Sequence, residues 1–258
     1  MYKSLNIVLL ALLLVFSVNS YAQFDTEYAD STEIKILYKY ERSYGITAHN
    51  LGLGVQYRWG KRLSIFKSRV FELEFQTLRS WKQIRLINSY VTNSRSYVYG
   101  KMNDAFEFHV GMLWKKQLNR KPYWGGVELR WIYGGGFTLG LAKPYYLYVI
   151  YYYEVSPGIY NYNIETEKFT DDPQWDDIYG RAPFSKGFNE ITVHPGFYLK
   201  TGLSFDYAKD HAKIKTLEVG LALDVLPTGI TIMYSNPKQT FFPLLYLNFS
   251  WGKRYNKY

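Results

Sequence analysis

The sequence predicts an all-β protein, an antiparallel β-barrel that spans a membrane, on three observations. Apolar and polar residues alternate along most of the chain, 19% of the residues are aromatic with 27 tyrosines, and an export signal precedes the alternating segments. Successive side chains on a strand point to opposite faces, so each segment has one apolar and one polar face. A closed barrel turns all of the apolar faces toward lipid and pairs every backbone group.

The export signal occupies residues 1–22. Lys3 precedes a mostly apolar run from Leu5 to Val18, and the small residues Ser20 and Ala22 follow it. This pattern predicts a secretory signal peptide cleaved after Ala22, because the run is shorter than the ~20 residues of a membrane-spanning helix. Residues 23–258 then form one barrel domain. The chain has no cysteine, which excludes disulfides and thiolate metal sites.

Eight strands follow from the alternation, which is strongest from Leu51 to Trp59 and from Leu217 to Val225. We predict them at 33–41, 49–60, 69–79, 104–117, 123–141, 187–207, 214–226 and 241–252. The connections alternate in length, as in bacterial barrels with long external loops and short periplasmic turns. The predicted loops are 42–48, 80–103, 142–186 and 227–240, and the turns are 61–68, 118–122 and 208–213.

The strand count has one alternative, which comes from the tyrosine-rich run between Tyr145 and Tyr153. This run either continues the fifth strand or forms an extra hairpin, and in the second case the barrel would have ten strands. Aromatic residues at Trp59, Trp114, Trp124, Tyr207 and Trp251 fall where a strand meets a short basic turn. Such positions are typical of the aromatic girdle at a membrane surface.

The inward faces carry charges of both signs, which predicts a lumen filled by ion pairs. An eight-stranded barrel is just wide enough to be packed by side chains, whereas water-filled channels need about 16 strands. A closed lumen is therefore expected, and a narrow pore for ions or small solutes is the alternative. The charge network is predicted to consist of Glu107, His109, Glu128, Arg130, Glu190, His194 and Lys200.

Signals for catalysis are weak. The sequence has no phosphate-binding glycine loop and no nucleophile elbow, and we predict neither a catalytic residue nor a cofactor. Gly134 to Gly136 suggest a kink or bulge in a long strand. A lipid-modifying enzyme could use histidine with Ser204 or Asp206, but its site would have to face the outer rim, and the alternation places these groups inside.

A loop of the chain is rich in carboxylates, at Asp171, Asp172, Asp176 and Asp177. Carboxylate oxygens are the ligands that Ca²⁺ prefers, but this spacing does not match the twelve-residue helix-loop-helix calcium motif. The loop is thus either a solvated acidic turn or a divalent-cation site that bridges to lipopolysaccharide. The sequence does not decide which metal, if any, it binds.

The formal net charge is +9, and basic residues gather at the predicted periplasmic turns. Such a rim favours anionic lipid head groups or an acidic partner, or it simply keeps the turns solvated. A nucleic-acid partner is excluded because an exported barrel meets none. The rim residues are Lys61, Arg62, Lys67, Lys115, Lys116, Arg120, Lys121, Lys209, Lys213, Lys253, Arg254 and Lys257.

Several stretches carry a family resemblance: the signal ending Tyr21-Ala22-Gln23, the tyrosine- and asparagine-rich strands, and residues 95–101 and 122–130. Together they resemble a family of small outer-membrane β-barrel proteins of the Bacteroidota. The resemblance implies the fold and an outer-membrane location, and it brings no assigned activity. We therefore expect a non-enzymatic structural or accessory role, with lipids, lipopolysaccharide or other envelope proteins as partners.

Overall fold

A computed structural model of the chain describes residues 38–119, 126–169 and 177–256. Its strands, in chain order, are β1 Tyr40–His49, β2 Gly52–Arg62, β3 Lys67–Leu78, β4 Arg85–Leu86, β5 Tyr97–Val98, β6 Asn103–Gln117, β7 Glu128–Pro144, β8 Tyr146–Ser156, β9 Ile159–Lys168, β10 Ile178–Arg181, β11 Thr192–Asp206, β12 Lys213–Ile230 and β13 Gln239–Tyr255. A 3-10 turn spans Phe188–Glu190. No described helix is long and apolar enough to cross a membrane.

Eight of these strands close into one antiparallel barrel, in the order β1-β13-β12-β11-β7-β6-β3-β2. The first and last strands pair from Tyr40 with Tyr255 to His49 with Tyr246, which closes the ring. Every strand therefore has a partner on both sides, and no edge is left open in the barrel. The predicted all-β, eight-stranded barrel is confirmed.

The barrel is polar inside and apolar outside, the reverse of a water-soluble protein. Leu199, Leu221 and Leu245 point outward with 65%, 59% and 58% of their surface exposed, whereas Glu72 and Glu218 are fully buried in the lumen. A continuous belt of exposed apolar side chains is stable against lipid and would aggregate in water. The barrel is therefore a membrane-spanning one.

The two ends of the barrel differ in the length of their connections. At one, which we call the turn end, strands are joined by residues 63–66, 118–127 and 207–212. At the other, the loop end, the connections are longer in sequence and correspond to residues 79–102, 145–191 and 231–238. Trp59, Trp114 and Trp251 face outward near the turn end, as the aromatic girdle requires, and Trp124 lies outside the described residues.

The predicted first strand is wrong in position. Residues 42–48, expected to form a loop, belong to β1, and only Asn50 and Leu51 separate β1 from β2. The apolar signal of this segment is weak because Arg42 lies on the outer face, where its guanidinium stacks over the Tyr255 ring at 5.4 Å. Residues 33–37 of the predicted strand lie outside the described residues.

The tyrosine-rich run forms an extra hairpin, but this hairpin does not enter the barrel. Strands β8 and β9 pair with each other, and β10 joins β8, which gives a separate three-stranded sheet at the loop end. The barrel therefore keeps eight strands rather than ten. Most side chains of the hairpin beyond Ile150 are exposed, including Tyr152, Tyr160 and Tyr162.

Gly134 to Gly136 do not form the predicted bulge. The β7 ladder continues through them to both neighbours without a shift of register. Glycine is needed next to them for space: a Cβ atom at Gly111, which pairs with Gly136, would lie 2.3 Å from the hydroxyl of Tyr198. The small residues thus admit a large side chain to the lumen.

The outward and inward faces of β12 should respond differently to substitution. Leu221→Arg places a charge against lipid near the middle of the strand and should lower the free energy of unfolding by about 2–4 kcal/mol. Ala222→Ser, on the buried inward face, should cost much less. Urea titration of the protein folded in lipid vesicles measures both values, and equal tolerance at the two positions would contradict the assigned faces.

Candidate functional site

The middle of the lumen is occupied by an arginine between two carboxylates. Nε of Arg58 lies 2.5 Å from Oε2 of Glu72, and Nη1 of Arg58 lies 2.6 Å from Oε2 of Glu218. Arg58 and Glu72 are direct cross-strand neighbours on β2 and β3, while Glu218 reaches them from β12, three places around the barrel. All three side chains are at most 2% exposed, so the pairs lie in a medium of low dielectric.

A second cation completes this central layer. Nζ of Lys200 lies 2.8 Å from Oε2 of Glu74 and 3.4 Å from Oε1 of Glu72. Glu74 also accepts a hydrogen bond from the hydroxyl of Thr47 at 2.7 Å, and Glu218 accepts one from Tyr246 at 2.7 Å. Hydroxyl groups thus add hydrogen bonds to carboxylates that the two cations already contact.

Glu107 and His109 lie on the loop-end side of this layer, where they meet Asp224. Nε2 of His109 is 3.1 Å from Oδ1 of Asp224 and 3.6 Å from Oε2 of Glu107. The imidazole stacks on the ring of Tyr198, with centroids 4.3 Å apart and planes 9° from parallel. Glu107, His109 and Lys200 therefore belong to one continuous buried cluster in the described part of the lumen.

Glu128 and Arg130 form a separate layer at the turn end. Nε of Arg130 lies 2.7 Å from Oε1 of Glu128, and Lys115 contacts Glu41 at 2.8 Å. Lys115 and Arg254 were expected on the solvated basic rim, but both are buried here, and Arg254 pairs with Asp206. Lys115 on β6 and Arg254 on β13 occupy inward-facing positions, so their basic groups lie in the lumen.

An apolar plug closes the lumen at the loop end. Its buried side chains come from barrel strands and from the loops above them, and Leu226, Ile230 and Phe242 are at most 1% exposed. The remaining members include Leu78, Val98, Ala105, Ile232, Met233 and Leu244.

Two residues predicted for the lumenal network lie elsewhere. Glu190 is in the 3-10 turn outside the barrel, where it pairs with Lys168, and this hydrogen bond lowers the pKa of the Glu190 carboxyl. His194 is at the loop end of β11, with Nδ1 2.8 Å from the hydroxyl of Thr228. Parity gives the face of a residue but not its height along the barrel, which explains both differences.

The acidic loop is described only at Asp177, which directly precedes β10. Asp171, Asp172 and Asp176 lie outside the described residues, so a cation site in this loop stays a prediction. For the lipid-modifying alternative, the described contacts of His109 and His194 include neither Ser204 nor Asp206. Asp206 is instead held by Arg254.

The central roles of Arg58, Glu72 and Glu218 were not predicted, although alternation places all three on inward faces. The short connection between β2 and β3 sets Arg58 opposite Glu72. The register of this hairpin could therefore have predicted the pair from the sequence. The contact with Glu218 could not be found in this way because it depends on closure of the whole ring.

A second polar site, which we call the basic cleft, lies at the loop end beside β3 and β6. It encloses about 480 Å³, and four cationic residues but one carboxylate, Asp104, line it. Lys101 and Arg181 contact Asp104 at 2.6 and 2.8 Å, and Lys143 approaches it at 3.6 Å. The cations are Arg79, Arg85, Lys101 and Arg181.

The positive charge of the basic cleft is only partly neutralised. Three cations share the single carboxylate of Asp104, and burial lowers the pKa of the Lys101 amine while Asp104 opposes this effect. Nε2 of Gln83 is buried in the cleft without a hydrogen-bond acceptor among the described residues. The cleft therefore offers donors and positive charge to an anion.

Aromatic side chains border the basic cleft on the side of the membrane belt. Phe184 packs edge-on against Phe106, with centroids 6.2 Å apart, and Phe106 stacks on Phe75 of β3. The Arg181 guanidinium lies over the Tyr145 ring at 5.1 Å. This arrangement places the cationic groups directly above the apolar outer surface.

No protein-family model matches the sequence, and no curated protein matches it. Some solved structures are similar at a low level, among them the following two. One is Ail, the attachment invasion locus protein of Yersinia pestis, at 7% identity and a TM-score of 0.36, covering 85% of this chain and 100% of that chain. The other is Neisserial surface protein A, at 10% identity and a TM-score of 0.36, covering 85% of this chain and 97% of that chain.

The fold assignment rests on the closed strand order itself, and membership of a Bacteroidota family stays a prediction.

Removing the central cation should destabilise the barrel. Arg58→Ala leaves Glu218 without a basic partner in a buried layer and should cost about 3–5 kcal/mol of unfolding free energy, measured by urea titration in lipid vesicles. Arg69→Ala, at an exposed position of β3, is the control and should stay within about 0.5 kcal/mol of the wild type.

The double variant Arg58→Met/Glu218→Gln tests the reason for this loss. It removes the unpaired charge at Glu218, while Glu72 keeps Lys200 as a partner. Its stability should therefore lie between those of Arg58→Ala and the wild type. A double variant no more stable than Arg58→Ala would show that packing, rather than charge pairing, dominates this layer.

Proposed function

We propose that the protein is an integral outer-membrane barrel with a non-enzymatic accessory role, and that it binds the phosphorylated head group of lipopolysaccharide at its loop end. The basic cleft is the observation that carries the proposal. In an outer-membrane barrel the long loops face the exterior, so the cleft lies level with the head groups of the outer leaflet. An export signal in the sequence and the apolar belt support this location.

The chemistry of the basic cleft fits phosphate groups. Guanidinium groups bind phosphate through two parallel hydrogen bonds, and Arg85 and Arg181 both line the cleft. The side chain of Arg181 is 37% exposed, which leaves part of it free to meet a ligand while Asp104 orients it. The aromatic border at Phe106 and Phe184 would contact the acyl chains below such a head group.

The exposed tyrosines of the β8–β9 hairpin support a second class of partner, another envelope protein. Tyrosine supplies a large, rigid contact area and a hydroxyl, which suits protein interfaces. The hairpin has a smaller net charge than the basic cleft. Its carboxylates Glu154, Glu165 and Glu167 lie among the tyrosines. Lipopolysaccharide is favoured because the cleft combines concentrated positive charge with an adjacent apolar surface.

The buried ion pairs and the apolar plug favour an accessory barrel over a pore. We expect no steady ion conductance when the purified protein is reconstituted in planar bilayers, because buried ion pairs and apolar side chains occupy the described part of the lumen. A porin of about 16 strands in the same bilayers is the positive control. Reproducible single-channel currents from the wild type would replace the accessory proposal with the pore.

Binding of lipid A tests the proposed ligand directly. The double variant Arg85→Gln/Arg181→Gln should bind bisphosphorylated lipid A at least about tenfold more weakly than the wild type, because each lost charge-assisted hydrogen bond contributes about 1.5–3 kcal/mol. Native mass spectrometry of the detergent-solubilised protein over a lipid A titration measures the affinities. Asp104 keeps Lys101 and Lys143, so the cleft should stay folded.

The control variant Arg42→Gln/Arg69→Gln removes two arginines from the outer face near the turn end and should bind lipid A like the wild type. The wild type and the cleft variant should bind dephosphorylated lipid A equally weakly. Equal affinity of the wild type and the cleft variant for bisphosphorylated lipid A would refute the proposal. Co-purification of a protein instead would favour the second partner class.

A further inference from the structure

Glu107, His109 and Asp224 form a compact group of metal-ligating side chains inside the lumen. One ligand atom from each lies within 4.8 Å of the others. Glu107 and His109 are two residues apart on the inward face of β6, and Asp224 meets them from β12, three places around the barrel. All three side chains are at most 2% exposed.

Four polar atoms of this group lack a hydrogen bond within the described part of the chain. Among the described residues, both ring nitrogens of His109, Oε1 of Glu107 and Oδ1 of Asp224 are buried and have no hydrogen-bond partner of good geometry. Leaving such groups unpaired costs about 1–3 kcal/mol each. A ligand that pairs with an imidazole nitrogen and carboxylate oxygens together is a metal cation.

We propose that Glu107, His109 and Asp224 bind one divalent transition-metal ion in the lumen of the barrel. The distances fit this assignment. A tetrahedral ion with bonds of about 2.0–2.1 Å holds its ligand atoms about 3.3–3.4 Å apart. Nε2 of His109 lies 3.1 Å from Asp224 and 3.6 Å from Glu107, so the ion needs only small side-chain movements.

The surroundings hold His109 in a suitable orientation. Nδ1, the other ring nitrogen, faces Oε2 of Glu74 at 3.6 Å, and a carboxylate at this position fixes the imidazole of a metal-bound histidine. Stacking on Tyr198 sets the ring plane. Nε2 of Gln76 donates to Glu107 at 2.7 Å and approaches Asp224 at 3.4 Å, which holds both carboxylates.

The charge of the central lumen also favours a bound cation. Five buried carboxylates, Glu72, Glu74, Glu107, Glu218 and Asp224, face two permanent cations, Arg58 and Lys200. These cations contact Glu72, Glu74 and Glu218, and no described lysine or arginine pairs with Glu107 or Asp224. The excess of negative charge is thus concentrated at the proposed site, where it is costly to bury.

The donor set selects the class of metal. One imidazole nitrogen with carboxylate oxygens suits Zn²⁺ and its first-row neighbours, whereas Ca²⁺ and Mg²⁺ prefer oxygen ligands alone. His49 also points into the lumen and interacts electrostatically with Asp224. Its Nδ1 accepts the Leu51 amide at 3.3 Å, so in the neutral ring Nε2 carries the proton and cannot ligate.

The ion would tie β6 to β12 across the lumen, beyond any role of the basic cleft. To test this, the purified protein is refolded with excess ZnCl₂, passed over chelating resin and analysed by inductively coupled plasma mass spectrometry. We expect about one Zn²⁺ per chain in the wild type. His109→Gln and Asp224→Asn should each reduce the zinc content at least about tenfold. Refolding with metal present avoids the need for entry into a closed lumen.

His194→Gln is the matched control, because it removes a histidine at the loop end of β11 and should keep the wild-type zinc content. Heat-modifiable mobility in gel electrophoresis shows that each variant is folded. Substoichiometric zinc in the wild type, or unchanged zinc in folded His109→Gln, would overturn the proposal. A wild type without any zinc would overturn it as well. Neither result bears on lipid A binding, which tests the proposed function separately.

Discussion

The mutual neutralisation of charges in a narrow lumen is the constraint on which the rest of this structure depends. Eight strands leave room for side chains but not for water around them, so Arg58 must meet its carboxylates directly. The contacts with Glu218, and those of Lys200 with Glu74, join strands three places apart around the ring. A slip of one residue in any strand would expel its charges to lipid, so these pairs also fix the register.

The parity of apolar residues predicts most of the barrel because one face of every strand meets lipid. The segment 104–117, for example, corresponds closely to β6, Asn103–Gln117. Parity fails where the outer face is not apolar throughout. In β1 the outward Arg42 interrupts the pattern, and the signal shifts to residues that precede the strand. It also cannot distinguish the β8–β9 hairpin from barrel strands, since a paired hairpin above the membrane alternates without contributing to the ring.

Less of the candidate site is predictable, because inward parity identifies a face but not a partner. Arg58 and Glu72 meet across one hairpin, so the length of its turn is enough to pair them. The contact of His109 with Asp224 depends instead on the stagger of four successive strands, from β6 through β7 and β11 to β12. Strand ends matter equally: Glu190 was placed inside because the predicted sixth strand began at 187, whereas β11 begins at Thr192. The four cations that line the basic cleft come from the connections at the loop end rather than from barrel strands, and alternation carries no information about these connections.

The imbalance of charge has opposite signs inside the lumen and at the basic cleft, and the surroundings determine its consequence. Inside the barrel, carboxylates outnumber permanent cations around His109, and low dielectric makes that excess costly unless a cation joins it. At the loop end, three cations share Asp104, which lies three residues before Glu107 in β6. There the side chain of Arg181 is 37% exposed, so water screens part of the excess positive charge. The two imbalances therefore differ in their exposure: the barrel wall encloses the excess of carboxylates, whereas the positive charge of the basic cleft is open to solvent at Arg181.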